Sequence, residues 1–291
     1  MSVLEQAFAV AKAARGRIIL PEYDDPRTEA AAKRIMAEGL ADCVCLDDAR
    51  PPEAYLTYLQ AARPGIKDAI ALKLLKKPLY LAGAMVAAGE ADALIAGAAT
   101  PTRRVIEAAA MTIGMAEGVS VPSSFFLMAF RDGRELIFAD CAVNVAPDAA
   151  ELAAIAVASA RSAEALLGSV RLAMLSFSTG ASGSGASVDL VAEATALVAA
   201  EGLNVVGPVQ ADAALNRGIA AKKGISGGDA NVLIFPSLDA GNIAYKLAQE
   251  LAGAQAVGPF LQGFARPVCD LSRGATVDDI VAAAAVTLAM R

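Results

Sequence analysis

Short apolar runs alternate along this chain with longer alanine-rich stretches whose polar residues recur at helical spacing. The runs Arg17–Leu20, Cys43–Leu46, Ala93–Ala96, Ser124–Ala129, Glu135–Ala139, Leu172–Leu175, Val205–Val206, Val232–Phe235 and Ala256–Gly258 read as strands. Between them Arg27–Glu38, Leu79–Ala88, Thr102–Ile113, Ala149–Leu167, Val188–Glu201, Gly241–Leu251 and Val277–Met290 read as helices. Such alternation predicts an α/β architecture with parallel or mostly parallel sheets. Arg131-Asp132-Gly133 separates two apolar runs, so Phe125–Ile137 reads as a hairpin. Asp148 is placed to cap the helix that starts at Ala149. Thr276, followed by Asp278 and Asp279, puts negative charge in the first turn of the last helix, where the dipole favours it. No repeat or linker-like tract interrupts the pattern. Domain seams are expected near Cys141–Pro147 and Gly263–Pro267, giving a discontinuous first domain of 1–143 plus 265–291 and a second of 144–264.

Composition narrows the class. A chain of 291 residues can form one large or two medium domains with a buried core, and 56% apolar with 19% charged residues excludes disorder. The mean hydropathy of +0.49 raises the question of membrane spans. Stretches such as Ile280–Met290 are too short to cross a bilayer, and longer ones are broken by charge. Met1–Arg17 intersperses Glu5, Lys12, Arg15 and Arg17 among its apolar residues. No signal-peptide core results, and the cytoplasm is the expected location. A net charge of −6 argues against nucleic acid as the main partner. Cys43, Cys45, Cys141 and Cys269 fit no zinc spacing; Cys43 and Cys45 read as alternate strand positions, and all four as buried free thiols. The chain has no histidine. That removes Ser-His-Asp and Cys-His catalysis, so a catalytic base must be a carboxylate, lysine, tyrosine or cysteine.

Four segments can carry chemistry. The Ser/Gly-rich loop Ser176–Ser187 follows a strand and opens onto a helix, presenting backbone N–H groups and hydroxyls suited to phosphate; it lacks the lysine of a P-loop. Asp270, Ser272 and Arg273 precede the last helix, whose first turn carries Asp278 and Asp279; an arginine and a serine there make an anion cradle, and a nearby carboxylate can take a proton. The two aspartates there are equally explained as helix capping. Gly97–Glu107 is a strand end running into a helix with Arg103 and Arg104, which also read as a solvated face. Phe235–Lys246 is a strand, turn and helix start whose Asp239 and Asn242 serve as cap residues or line a cleft.

Taken together, the strings Phe138-Ala-Asp-Cys-Ala-Val-Asn144, Ala173-Met-Leu-Ser-Phe-Ser-Thr-Gly180, Phe235-Pro-Ser-Leu-Asp-Ala-Gly-Asn-Ile-Ala-Tyr-Lys246, Gly258-Pro-Phe-Leu-Gln-Gly263 and Asp270-Leu-Ser-Arg-Gly274 resemble the phosphate acetyltransferase and phosphate butyryltransferase family, in family order. The N-terminal third matches more loosely. The resemblance implies two α/β domains with an interdomain cleft, in an isocitrate/isopropylmalate dehydrogenase-like fold, and a homodimer. It implies phosphate acetyltransferase activity, in which the CoA thiolate attacks an acyl phosphate and inorganic phosphate leaves. Coenzyme A is then a substrate, with no tightly bound cofactor, no metal and no membrane partner. It assigns Asp279 as the base for the thiol, with Arg273 and Ser272 at the acyl phosphate and reacting centre. Substrate contacts are expected from Ser176, Ser178, Thr179, Gly180, Ser182, Ser124, Asn242 and Lys246. Where relatives commonly carry an arginine this chain has Glu107, and Arg103 or Arg104 is the candidate replacement. The alternatives are a propionyl or butyryl phosphotransferase and a non-catalytic acyl-CoA sensor. Retention of Ser272, Arg273 and Asp279 favours catalysis over sensing.

Overall fold

The computed structural model describes residues 1–291. In chain order the strands are β1 (Gly16–Ile19), β2 (Ala41–Val44), β3 (Ala93–Ala96), β4 (Ser123–Ala129), β5 (Glu135–Ala139), β6 (Leu172–Leu175), β7 (Val205–Val209), β8 (Val232–Ile234), β9 (Gln255–Gln262) and β10 (Val268–Asp270). The helices are α1 (Val3–Ala14), α2 (Pro26–Ala37), α3 (Leu56–Ala62), α4 (Asp68–Leu75), α5 (Pro78–Ala87), α6 (Thr102–Thr112), α7 (Ala149–Leu167), α8 (Ala186–Ala200), α9 (Ala211–Leu215), α10 (Arg217–Lys222), α11 (Leu238–Ala252) and α12 (Val277–Ala289). The molecule is a mixed α/β protein that divides into two compact units, Met1–Val119 with Gly258–Arg291 and Ser120–Val257.

In the first unit the strand order is β2-β1-β3-β10-β9, parallel except for β9, which runs antiparallel to β10. The parallel strands are covered on their faces, so they read as continuous apolar runs: all of Ala93–Ala96 is buried. Helix α12 is buried from Ile280 to Leu288, which fits a helix that is apolar nearly all round and packs against both α1 and α2. Thr276 caps it, and Thr276 and Asp279 form a reciprocal capping box.

In the second unit the order is β4-β5-β8-β6-β7, with β4–β5 an antiparallel hairpin and the remaining pairs parallel. Helix α7 begins at the expected Asp148 cap, closed by a capping box with Glu151, and ends at Gly168 in the left-handed region. One face of this sheet buries Phe126, Phe138, Leu233 and Phe235, and Tyr245 of α11 stacks on Phe126 with ring centroids 4.2 Å apart.

Several expectations change. The division falls at Val119/Ser120 and Val257/Gly258, not at 143/144 and 264/265. The physical reason is that the β4–β5 hairpin pairs onward with β8 and so travels with the second unit. Strand β10, three residues long, and helices α1, α3, α4, α9 and α10 had no reading in the sequence pattern. Cys45 lies beyond β2 and is exposed and Cys43 is half-buried; only Cys141 and Cys269 are buried. No helix is long and apolar enough to cross a membrane.

Candidate active site

Strands β1, β3 and β10 run parallel, so their C-terminal ends share one edge of the first unit's sheet. Each is followed by a turn and the start of a helix, α2, α6 and α12 respectively. Such edges collect ligands because helix N-termini and unpaired backbone N–H groups point outward there. The register Ala96↔Asp270 starts the turns at Gly97 and Leu271 side by side. Gly97 has φ +110, and a Cβ there would strike the Asp270 carboxylate and come within 2.6 Å of the Leu271 nitrogen. Only glycine lets the two turns approach this closely.

This edge brings together the expected residues of the first unit: Arg103 and Arg104 in the first turn of α6, Ser272 and Arg273 on the turn after β10, and Asp279 in the first turn of α12. Ser272 and Arg273 are exposed. The Ser272 hydroxyl accepts from the Gly274 N–H at 3.3 Å. Asp279 is half-buried, and its Oδ2 accepts from the Thr276 N–H at 2.9 Å and from the Thr276 hydroxyl at 2.8 Å, so that oxygen is committed to the cap. Neighbouring Asp278 points elsewhere and pairs with Arg34 of α2. Arg104 reaches back to Glu107 at 2.9 Å. Glu107 is held below the usual carboxylate range, first by the Tyr80 hydroxyl and then by Arg104. Burial, with Glu107 alongside, pushes Tyr80 up to about 12. A cavity of about 510 Å³ opens beside the Gly97–Thr100 turn, bounded by Glu22, Lys77, Tyr80, Thr100 and Arg104 among others, while Ser272, Arg273 and Asp279 do not line it. Arg104 lines it and Arg103 does not.

In the second unit the loops after β5, β6 and β8 leave the C-terminal ends of parallel strands in the same way. Asp140 is 2% exposed, yet its carboxylate accepts from the N–H groups of Ala142, Val143 and Asn144, from the Asn144 side chain, and from the Ser124 hydroxyl. Ser124 has no exposed surface, and its hydroxyl is given to Asp140. The Ser124 side chain anchors the loop from inside. Asn242 donates to the Cys141 carbonyl at 3.1 Å, and Gly241 lets α11 lie against the Asp140 backbone, where a Cβ would clash. Lys246 is exposed, its ammonium 4.9 Å from the Tyr245 ring centroid. In the Ser/Gly-rich loop, Ser178 Oγ accepts from the Gly183 N–H at 2.8 Å and Ser182 Oγ from the Thr179 N–H at 2.9 Å, while Ser176 Oγ accepts from the Ser178 N–H at 3.1 Å. Ser178 and Thr179 are buried; Gly180 and Ser182 are exposed. The loop is thus held in shape by its own serines.

A family model described as "Phosphate acetyl/butaryl transferase" matches residues 50–288. The chain belongs to this acyltransferase family. Among curated members it is 41% identical to the phosphate acetyltransferase of Paracoccus denitrificans, over 99% of this chain and 98% of that one. The phosphate acetyltransferase of Haemophilus influenzae is longer: identity is 39% over 97% of this chain, which spans 44% of that protein. A crystal structure of a phosphotransacetylase from Streptococcus pyogenes superposes with a TM-score of 0.92 at 32% identity, covering 99% of this chain and 98% of the other.

Three residues of this edge were given no role of their own by their sequence pattern: Asp270, named only as part of the segment before the last helix, and Glu22 and Arg27, not singled out at all. Asp270 is 1% exposed, with Oδ2 accepting from the Thr102 hydroxyl at 2.5 Å and Oδ1 without a partner. Burial raises it to about 7, Thr102 opposing and the Glu22 charge adding. Glu22 and Arg27 flank the start of α2 and bond to the turns at Gly97 and Arg273. The only local signal was Asp25-Pro26-Arg27, a cap followed by proline at the first helical position, which marks a helix start and nothing more.

Proposed function

We propose that the chain catalyses reversible acetyl transfer between acetyl phosphate and coenzyme A, acetyl-CoA plus phosphate giving CoA plus acetyl phosphate. The observation that carries this reading is the common sheet edge on which Ser272, Arg273, Asp279 and Arg104 are presented from adjacent turns. The Asp279 carboxylate takes the proton from the CoA thiol; its Oδ1 is the oxygen left over by the Thr276 cap. The thiolate sulfur bonds to the acetyl carbonyl carbon, the carbon–oxygen bond to phosphate breaks, and the electron pair leaves with phosphate. Arg273 and Arg104 bind the phosphoryl oxygens as planar forks and stabilise the charge that builds there. Arg104, lining the cavity and oriented by Glu107, is the better placed of the two candidate replacements. The loop Ser176–Ser182, Asn242 and Lys246 belong to the same reading as further substrate contacts. So do the isocitrate/isopropylmalate dehydrogenase-like fold, the homodimer, the cytoplasmic location, and coenzyme A as substrate without a tightly bound cofactor.

Thioester formation from CoA with acetyl, propionyl and butyryl phosphate tests the reaction and its acyl preference together. Acetyl phosphate is the expected best substrate. Arg273→Gln should fold normally and lose roughly a hundred- to a thousandfold in turnover, as for other lost transition-state contacts. No activity with any acyl phosphate, or full activity of Arg273→Gln, would refute this reading.

A further inference from the structure

The turn between β1 and α2 and the first residues of α2 supply no group to the proposed chemistry, yet their charged side chains hold both turns that do. The Glu22 carboxylate accepts four consecutive main-chain N–H groups: Gly97 and Ala98 on Oε2 at 2.8 Å each, Ala99 and Thr100 on Oε1 at 3.2 and 2.7 Å. A carboxylate filling a concave run of amides ahead of a helix fixes the whole turn, because each bond is charge-assisted and the donors have no other partner to turn to. Arg27 acts on the opposite kind of group. Its guanidinium is gripped by Asp25, with Nε to Oδ1 at 3.1 Å and Nη2 to Oδ2 at 2.7 Å. The remaining N–H bonds go to three carbonyls: Nη1 to Arg273 at 2.7 Å and Ala275 at 2.9 Å, Nη2 to Ala98 at 2.8 Å. The Asp25 carboxylate is held down at about 2 by this fork, so the pair stays charged across the physiological range.

One planar guanidinium therefore ties the turn that leads to Arg104 to the turn that carries Arg273. We propose that Glu22 and Arg27 are positioning residues for acyl transfer: Glu22 closes the Gly97–Thr100 turn, and Arg27 clasps it to Arg273–Ala275 so that both phosphate-binding arginines are presented from one rigid frame. This rests on the reading of Arg273 and Arg104 as substrate contacts. A lysine at 27 keeps the charge but is a point donor on a flexible stem, and it cannot hold a carboxylate and three carbonyls in one plane. Loosening a catalytic group by about an ångström costs on the order of a hundredfold in rate.

The test is a double-mutant cycle on the full chain, reading kcat and KM for acetyl phosphate and CoA. Arg27→Lys and Glu22→Gln should each lower kcat about ten- to a hundredfold with native circular dichroism. In a background lacking both arginines, Arg273→Gln with Arg104→Ala, the same changes should cost less than about threefold, since the groups they position are gone. Equal losses in both backgrounds would show a merely structural role and overturn the proposal. Should Arg27→Lys fail to fold, Glu22→Gln, which keeps the length of the side chain, carries the cycle alone. Tighter inhibition by inorganic phosphate in Glu22→Gln would also overturn it, by showing that Glu22 plugs an anion site. An inactive wild type overturns the function with the clasp; an active wild type with unaltered variants overturns the clasp alone.

Discussion

Replacing Asp270 by asparagine should make the protein more stable at alkaline pH and remove a pH dependence that the wild type carries. Asp270 closes β10 with 1% of its surface exposed. Its Oδ2 takes the Thr102 hydroxyl and its Oδ1 takes nothing. The charged groups around it do not compensate. Glu22 faces it with like charge, and the thiol of adjacent Cys269 is pushed up by burial and stays neutral. Burial therefore raises the carboxyl from 3.8 to about 7. The unfolded chain releases this proton near its ordinary value while the folded chain keeps it to about 7. Between those limits the native state binds more protons, so stability falls as pH rises and the penalty is complete above the folded value. Three units or so at about 1.4 kcal/mol each put that penalty near 4 kcal/mol, a large share of the roughly 5–15 kcal/mol that stabilises an ordinary domain. Asparagine never ionises and so escapes it. The check is urea unfolding of wild type and Asp270→Asn between pH 5 and 8.5, taking the difference at each pH. Titrations elsewhere are common to both proteins and cancel, as does any constant offset from the new amide. The expected difference moves steadily in favour of the variant up to about pH 8 and then levels. A difference that stays flat across the range would refute the account of Asp270 as a buried, poorly compensated carboxylate.

Three further outcomes are expected. Asp279→Asn should lower turnover by roughly a hundred- to ten-thousandfold as loss of a base, with residual activity rising more steeply with pH than in wild type, and weaken the α12 cap by about 1 kcal/mol. Asp278→Asn, which loses only a surface pair with Arg34, should leave turnover unchanged; kinetics and thermal melts of the two variants separate the roles. Arg104→Ala should raise the acetyl phosphate KM by about tenfold or more with little change for CoA, while Arg103→Ala, which lies outside the cavity, should be nearly silent; steady-state kinetics with each substrate varied decide it. Gly97→Ala should destabilise by about 2 kcal/mol or more and cut activity, because it meets both a left-handed φ and the Asp270–Leu271 backbone; a melting temperature equal to wild type would show that the turns can part.

Much of the fold was legible because its signals are local. Leu172–Leu175 is a continuous apolar run of strand length, Asp148 caps a helix whose residues repeat at helical spacing, and Arg131-Asp132-Gly133 turns a hairpin; each can be read within a dozen residues. The absence of histidine likewise confined any base to other residue types before a fold was known. Elements without such signals went unread. β10 is three residues long and qualifies as a strand only because β3 and β9 lie on either side of it. The hairpin was legible, but the unit it joins was not, since that depends on β5 pairing with β8 across nearly a hundred residues of chain. The site divides in the same way. Ser272, Arg273 and Asp279 are close in sequence, and family resemblance proposes them. The surroundings of Ser124, Asp270, Glu22 and Arg27 were set by tertiary structure alone. Ser124 and Asp270 look like polar residues near a site until burial and a partner, Asp140 or Thr102, are assigned to them. Glu22 and Arg27 are ordinary charges ahead of a helix until the parallel packing of β1, β3 and β10 sets backbone amides and carbonyls within their reach. Local propensity is written in neighbouring residues, whereas the surroundings of a charge are supplied by strands that meet only when the sheet forms.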